Sequence, residues 1–600
     1  MANLNNSTEN PLGVRIRYKM DINMKWIHGG IVLIFGVFLS AISLTGCGLQ
    51  GEGSVSNGSS GVSGDPTLAS LALSVGTLVP AFDPQKTTGY SATVSFLNPT
   101  LTVTAITTEP GATVTVNGGF LTAPVILVEG SNTLDIRVTT GGGATEDYTV
   151  TVTRQSATTF AQQAYMKASN TDAGDEFGYG IALNGDTLAV GAPFEDSIST
   201  QINNGQTDNS APNAGAVYVF VRSGTVWSLQ AYIKAFNTDA GDKFGSSIAL
   251  NGDTLAVGAP FESSNSTQIN VGQIDNSAPN AGAVYVFIRS GTTWTQQAYV
   301  KGSNNSAGDQ FGSSVSLDGD TLVVGAPASG KVYMFVRSGT AWLQQWYENA
   351  GGIGFGWSVA VSGDTVAIGA PFENSSASGI NGNSNDTSAS NAGAVYMFVR
   401  SSGSWSEDAY IKASNTNAGD QFGWSLALSG VTLAVGAPFE DSSATGINGV
   451  QNDNSTPDAG AVYVFSRDSG GWSQQAYVKA SNTEAGDEFG YSVALSGDTL
   501  AVGAPFEDSD STQINNGQND NSASNTGAVY AYIDDGGTWT QLEYVKASNT
   551  DPLDLFGSSV AVNAGTLAIG APLEDSNSTQ INTGQTDNSA DDSGATYVFQ

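Results

Sequence analysis

A chain of 600 residues is longer than one hydrophobic core serves, so several domains or a repeat array are expected. Its 55 acidic residues against 20 basic ones give a net charge of −35, which excludes nucleic acid as an expected partner because phosphates need cations this surface lacks. One histidine, His28, and one cysteine, Cys47, both lie near the amino terminus. The rest of the chain therefore has no material for Ser-His-Asp or Cys-His catalysis, for zinc held by His or Cys, or for an internal disulfide.

In chain order, the first element is a cationic head (Arg15, Arg17, Lys19, Lys25) followed by an apolar run from Ile31 to Ile42 that stops at Leu44-Thr45-Gly46-Cys47. This order describes a secretory signal over residues 1–46. The run is shorter than the ~20 residues of a bilayer-spanning helix, which leaves an uncleaved anchor as the weaker alternative. Leu-Thr-Gly-Cys resembles a bacterial lipobox. That resemblance implies lipid on Cys47, a membrane attachment through it, and a location in the bacterial cell envelope, at the outer membrane or cell surface. Residues 47–65, dominated by Gly and Ser, read as a flexible tether.

Residues 66–155 change to short alternating strands: Leu101–Ile106, Ala112–Val116, Thr133–Val138 and Tyr148–Thr153. Period-two Thr/Val alternation turns one face to a core and the other to water, and breaks such as Glu109-Pro110-Gly111 and Asn117-Gly118-Gly119 reverse the chain. One antiparallel β-sandwich is predicted. The Ala112–Gly118 stretch, the Glu129–Leu134 turn and the closing Tyr148–Arg154 strand resemble the bacterial cadherin-like β-sandwich domain, which implies a spacer.

Residues 158–600 hold one pattern seven times. Its phenylalanines are Phe177, Phe244, Phe311, Phe355, Phe422, Phe489 and Phe556, separated by 67, 67, 44, 67, 67 and 67 residues. A Gly-Ala-Pro triplet closes 16 positions after each phenylalanine, and in six repeats a long loop follows; in the third, 19 residues of that loop are missing after Pro327. Ile181 to Gly191 reads as a hairpin turning at Asn184-Gly185, with the positive φ of a type I′ turn expected there. A third strand begins at Ala216 and a fourth at Trp227. Four antiparallel strands per unit predict an all-β, seven-bladed β-propeller. The chain ends before a seventh fourth strand, and Phe160 to Ala168 matches the missing segment, so the first strand is predicted to complete the last sheet and hide its edge. Phe177-Gly178 with Gly191-Ala192-Pro193, and the six counterparts, resemble the FG-GAP repeat of integrin α-subunit propellers and bacterial surface proteins.

That resemblance brings a calcium loop in the hairpin of many relatives, but Asn184-Gly185-Asp186 is too short to wrap a cation. Acidic residues instead recur in the long loops: Glu195, Asp196 and Asp208; Glu440, Asp441 and Asp453; Glu507, Asp508, Asp510 and Asp520; Glu574, Asp575 and Asp587. Oxygen-only ligands suit calcium, so these are the candidate metal ligands, with a solvated acidic loop as the alternative. A second recurrent acid, Asp175 and its equivalents, precedes the Phe-Gly pair and is expected to cap a turn. The broken symmetry at the third and fourth repeats is expected to open a notch lined by Trp342, Trp346, Tyr347 and Trp357, the candidate ligand contacts, with core packing the expected fate of at least two of them. No catalytic residue is nominated. A monomeric, lipid-anchored scaffold that binds a protein or glycan is expected, with a carboxylate-dependent hydrolase of polysaccharide or phosphodiester, or a purely structural envelope protein, as alternatives.

Overall fold

The computed structural model describes residues 64–600 apart from 95–99, 122, 129, 155–159 and 353. The signal segment, Cys47 and the tether up to residue 63 lie outside the described residues. Every regular element among those described is a strand.

In the amino-terminal domain, Tyr90–Val94, Thr145–Arg154, Gly130–Thr139, Thr113–Val116 and Gly119–Phe120 form a five-stranded sheet in that order, and Leu68–Leu73 pairs with Val103–Thr107. Alternation works as the Thr/Val pattern predicts: Leu134, Ile136, Val138, Tyr148, Val150 and Val152 are fully buried in one cluster. The sheet is not wholly antiparallel, however, because Tyr90–Val94 runs parallel to Thr145–Arg154. The Tyr148 hydroxyl ties the two parts of the domain together by accepting from Leu68 N at 3.0 Å.

The remainder forms seven four-stranded antiparallel sheets. In the first, Ile181–Asn184, Thr187–Ala192, Ala216–Ser223 and Val226–Ile233 are neighbours in chain order. Asn184 pairs with Thr187, so Gly185 and Asp186 are the central residues of the turn. Only Gly185 has positive φ, at 56°, which corrects the expected type I′ turn to the pattern of type II′. The seventh sheet takes strands from both ends of the region: Gln162–Met166 lies beside Ala595–Phe599, with Tyr165 opposite Tyr597 and Met166 opposite Thr596. Ala161 and Gln600 exchange two further backbone hydrogen bonds at 3.1 and 3.0 Å.

Each phenylalanine of the Phe-Gly pair is buried between neighbouring sheets. Phe177 packs with Met166, Ala568 and Val598 of the seventh sheet and sits edge-on to Tyr218 of the first at 5.4 Å. The glycine of Gly-Ala-Pro is required by close approach: a Cβ at Gly191 would lie 2.2 Å from the carbonyl oxygen of Gly245 in the next repeat. First and seventh sheets meet by the same contacts, Ser559 Oγ donating to Gly178 O at 2.7 Å and Gly185 N to Asn563 Oδ1 at 2.9 Å. The first strands of all seven sheets line one cavity of about 270 Å³, with Leu183, Leu250, Leu317, Val361, Leu428, Leu495 and Val562 each contributing.

Removal of the amino-terminal region through Lys167 strips the cation from the buried Glu574 and exposes the edge of Ala595–Phe599. We expect stability to fall by at least ~3–5 kcal/mol in denaturant unfolding, with recovery on adding a peptide of residues 160–168. An unchanged midpoint would show that this strand does not hold the seventh sheet.

Candidate functional site

Beyond Gly-Ala-Pro, six of the seven repeats place a glutamate, and in five of them its side chain is only 1–2% exposed. In the first sheet Glu195 accepts from the Tyr232 hydroxyl at 2.6 Å, Lys234 Nζ at 2.8 Å, Asn170 Nδ2 at 3.2 Å and Ser197 N at 3.2 Å. Lys234 also donates to Gly215 O at 2.7 Å, and Asn170 Oδ1 accepts from the Tyr218 hydroxyl at 2.6 Å. The side chains of Lys234 and Glu195 are 0% and 2% exposed. Burial pulls the lysine below its ordinary pKa, and the facing carboxylate opposes that pull. The same hub recurs at Glu262, Glu440, Glu507 and Glu574. For Glu574 the tyrosine and lysine are Tyr165 and Lys167, from the amino-terminal strand.

This corrects the reading of Glu195, Glu440, Glu507 and Glu574 as cation ligands, because their oxygens are already taken by an ammonium, a phenol, an amide and a backbone N–H. The adjacent aspartates fold the loops: Asp196, Asp441, Asp508 and Asp575 accept from Asn213 N, Asp458 N, Asn525 N and Asp592 N at 2.8–2.9 Å. Asp208 accepts from Ser210 N at 3.1 Å, and Asp453 from the hydroxyls of Ser443 and Ser455. Asp587 sits in a turn, its N–H donating to Gly584 O at 3.0 Å. Asp510 and Asp520 share a hydrogen bond that raises the pKa of the first and lowers that of the second. Among the described residues no group of three or more His, Cys, Asp or Glu side chains is placed to hold a metal ion.

The acid before the Phe-Gly pair caps its turn as expected, Asp175 Oδ2 accepting from Asp172 N at 3.2 Å. Burial lifts the carboxyls of Asp175, Asp242, Asp420, Asp487 and Asp554 to about 8.

The tryptophans do not line a notch together. Trp342 is buried, donates from Nε1 to Gln297 Oε1 at 2.9 Å and lies under the Arg337 guanidinium. The same tryptophan-to-neighbour bond at Trp227, Trp294 and Trp405 marks it as part of an intersheet belt. Trp346 packs on Phe398 at 5.0 Å, and Tyr347 stacks on Tyr333 at 6.0 Å. Trp357 is exposed, resting on Phe372 at 5.4 Å and Trp424 at 4.8 Å, and Trp424 continues to Tyr491 at 5.7 Å. These three aromatics follow their Phe-Gly pairs, at the strand ends from which the long loops leave.

A cavity of about 740 Å³ does open at the third and fourth repeats, but different residues line it: Phe355, Phe372, Glu373, Asn374, Asp386 and Tyr396 among them. Glu373 belongs to the one incomplete hub. It holds Lys412 Nζ at 2.8 Å and Ser375 N at 2.9 Å, but among the described residues no asparagine reaches it. In the third repeat the glutamate was lost with the loop, and Lys331 pairs instead with Asp309 at 2.7 Å. Residue-by-residue reading overlooked Glu262, Glu373 and the hub itself. The signal was present as a tyrosine 37 and a lysine 39 positions after every hub glutamate but Glu574, whose partners precede it.

The FG-GAP repeat family matches residues 160–220, 227–287, 294–343, 348–398, 405–465, 472–532 and 539–599, more than half of the chain, and the protein belongs to that family. Each full-length matched unit starts on the fourth strand of one sheet and ends on the third of the next. Residues 68–155 match the cadherin-like beta sandwich domain. Comparison with curated proteins finds no match. Solved structures with similarity include one from Bacteroides uniformis described as a 6-phosphogluconolactonase, 10% identical at TM-score 0.36, covering 69% of this chain and 93% of that one. Sqt1 of Saccharomyces cerevisiae is 10% identical at TM-score 0.29, covering 59% and 94%. Similarities this distant carry no argument.

The buried aspartates set a pH dependence. Their folded pKa of about 8 lies above the ~3.9 of an unfolded aspartate, so the folded chain holds protons that the unfolded chain has released. Stability is therefore expected to fall as pH rises from about 5 to 8, read as the urea midpoint, and Asp487→Asn should flatten the slope. A midpoint that climbs over that window would show these carboxyls ionised.

Proposed function

We propose that the seven sheets form a closed seven-bladed β-propeller that acts as a recognition scaffold, binding a protein or glycan without catalysis. In this reading the propeller is held at the bacterial cell surface by lipid on Cys47, with the cadherin-like domain as spacer. The single observation that carries the binding function is the cavity at the third and fourth repeats. It combines the aromatic walls of Phe355, Phe372 and Tyr396 with the polar edges of Asn374, Asp386 and Glu373, and it lies within the roughly 300–1,000 Å³ typical of ligand sites. Phe372 also touches Trp357, so an exposed aromatic arc leads from the cavity to Trp424 and Tyr491.

Carboxylate-dependent hydrolysis is the weaker reading, although Asp386 and Glu373 share the cavity. Hydrogen bonds from Ser376 and Ser388 hold Asp386 down to about 2, which unfits it as the general acid that glycoside hydrolysis requires, and Glu373 is engaged by Lys412 Nζ at 2.8 Å.

A glycan array and a displayed peptide library probed with the purified protein test the proposal. Bound ligands are expected to lose about tenfold or more in affinity on Phe372→Ala, and restoring a 19-residue loop to the third repeat should mask the cavity. Binding indifferent to both changes would place recognition elsewhere or nowhere.

A further inference from the structure

The cavity coincides with a dock that the other repeats fill from their own chain. Between the sheets, the segment after each fourth strand lays a Ser-Asn-Thr type sequence against the next long loop. Ser169 donates to Gln206 Oε1 at 3.3 Å, Asn170 bridges Glu195 and Tyr218, and Asn209 donates to Asp172 at 3.1 Å. Asn415 and Asn482 occupy the same slot, each bonded to glutamate and tyrosine.

At the fourth repeat that segment is four residues shorter. Tyr347 faces Tyr333 as Tyr232 faces Tyr218, yet Phe355 follows Tyr347 by 8 positions where Phe244 follows Tyr232 by 12. Counting five residues from the tyrosine reaches asparagine at 170, 237, 304, 415, 482 and 549, and reaches Gly352 here. The receiving residues nevertheless persist. Glu373 is 13% exposed where its equivalents in the complete hubs are 1–2% exposed. The Tyr396 hydroxyl, equivalent to that of Tyr218, has no protein partner among the described residues. Ser384 and Thr387 stand at the loop positions of Gln206 and Asn209, and both line the cavity together with Gly352.

We infer that this vacant dock takes, from a partner protein, an extended peptide segment that presents an asparagine, whose carboxamide donates to Glu373 and accepts from the Tyr396 hydroxyl. The inference rests on the cavity being the recognition site and names its ligand class. A carboxamide is the group that satisfies an acceptor and a donor at this spacing in the five complete hubs. A carboxylate in its place would meet Glu373 with like charge, and an aliphatic side chain would leave both groups unpaired.

Calorimetric titration of the purified protein with the peptide Ala-Ser-Asn-Thr-Asp, a copy of residues 168–172, tests this directly. Peptides with Asp or Leu in place of the asparagine are expected to bind about tenfold more weakly or worse. Tyr396→Phe should weaken the asparagine peptide about fivefold or more while leaving the melting temperature unchanged, because among the described residues that hydroxyl has no hydrogen bond to lose. Gly352→Asn, at a position where a Cβ meets nothing within 4 Å, should compete with the peptide from within the chain. Equal binding of the three peptides, indifference to Tyr396→Phe, or displacement of the asparagine peptide by N-acetylglucosamine at lower concentration than by itself would overturn the inference. If the peptides fail while Phe372→Ala still abolishes binding to an array ligand, the ligand class is wrong and the recognition site stands. If both fail, the site falls too.

Discussion

A carboxylate and an ammonium removed from water each forgo several kcal/mol of hydration, and their mutual attraction offsets that loss only where the remaining lone pairs and protons are also bonded. The hubs meet this condition. Glu195 leaves the second strand of its sheet, Lys234 and Tyr232 come from the fourth strand, and Asn170 arrives from the segment that follows the preceding sheet. One buried group thereby fixes the exit of the long loop, the pairing of a sheet's outer strand and the register of one sheet against the next. In the seventh sheet the same requirement falls on Tyr165 and Lys167, more than 400 residues from Glu574 in sequence. Strand pairing and ionic satisfaction thus bring the two ends of the repeat region together at the same place.

Because completeness is what makes the hub tolerable, an incomplete one is informative. The third repeat dispenses with its glutamate and neutralises the buried Asp309 with Lys331, a lysine from a different strand. The fourth keeps glutamate, lysine and both tyrosines but has Gly352 at the asparagine's place, and Glu373 and Tyr396 line the cavity. The long loop of the fourth repeat, with Asn374 Oδ1 accepting from Asn391 N at 2.8 Å, walls that cavity.

The repeat count, the four-strand unit and the pairing of Gln162–Met166 with Ala595–Phe599 were legible because they depend on spacing, and spacing survives in sequence. The capping role of Asp175 was legible for the same reason that Asp favours turns, namely its reach to nearby backbone amides. The fate of Glu195 was not, since an acidic residue in a polar loop reads as solvated or metal-binding until its lysine, 39 residues away, is seen beside it. Trp342 took the core-packing course open to an aromatic near a deletion, its indole N–H held by Gln297 from the neighbouring sheet. The turn at Gly185 differs from the expected type because the register placed the glycine first, not second, between the paired residues. The parallel pairing of Tyr90–Val94 lay beyond alternation altogether, which tells which face is buried and not which neighbour is chosen.

A double-mutant cycle on Glu195→Gln and Lys234→Met, followed by denaturant unfolding, measures the central interaction most directly. Each single change is expected to lower stability by about 3–5 kcal/mol, and the pair together by less than the sum of the two, with a coupling of about 1.5 kcal/mol or more. Additive losses, or singles that leave the midpoint where it was, would contradict the claim that the buried pair holds the exit of the long loop to the outer strand of its sheet.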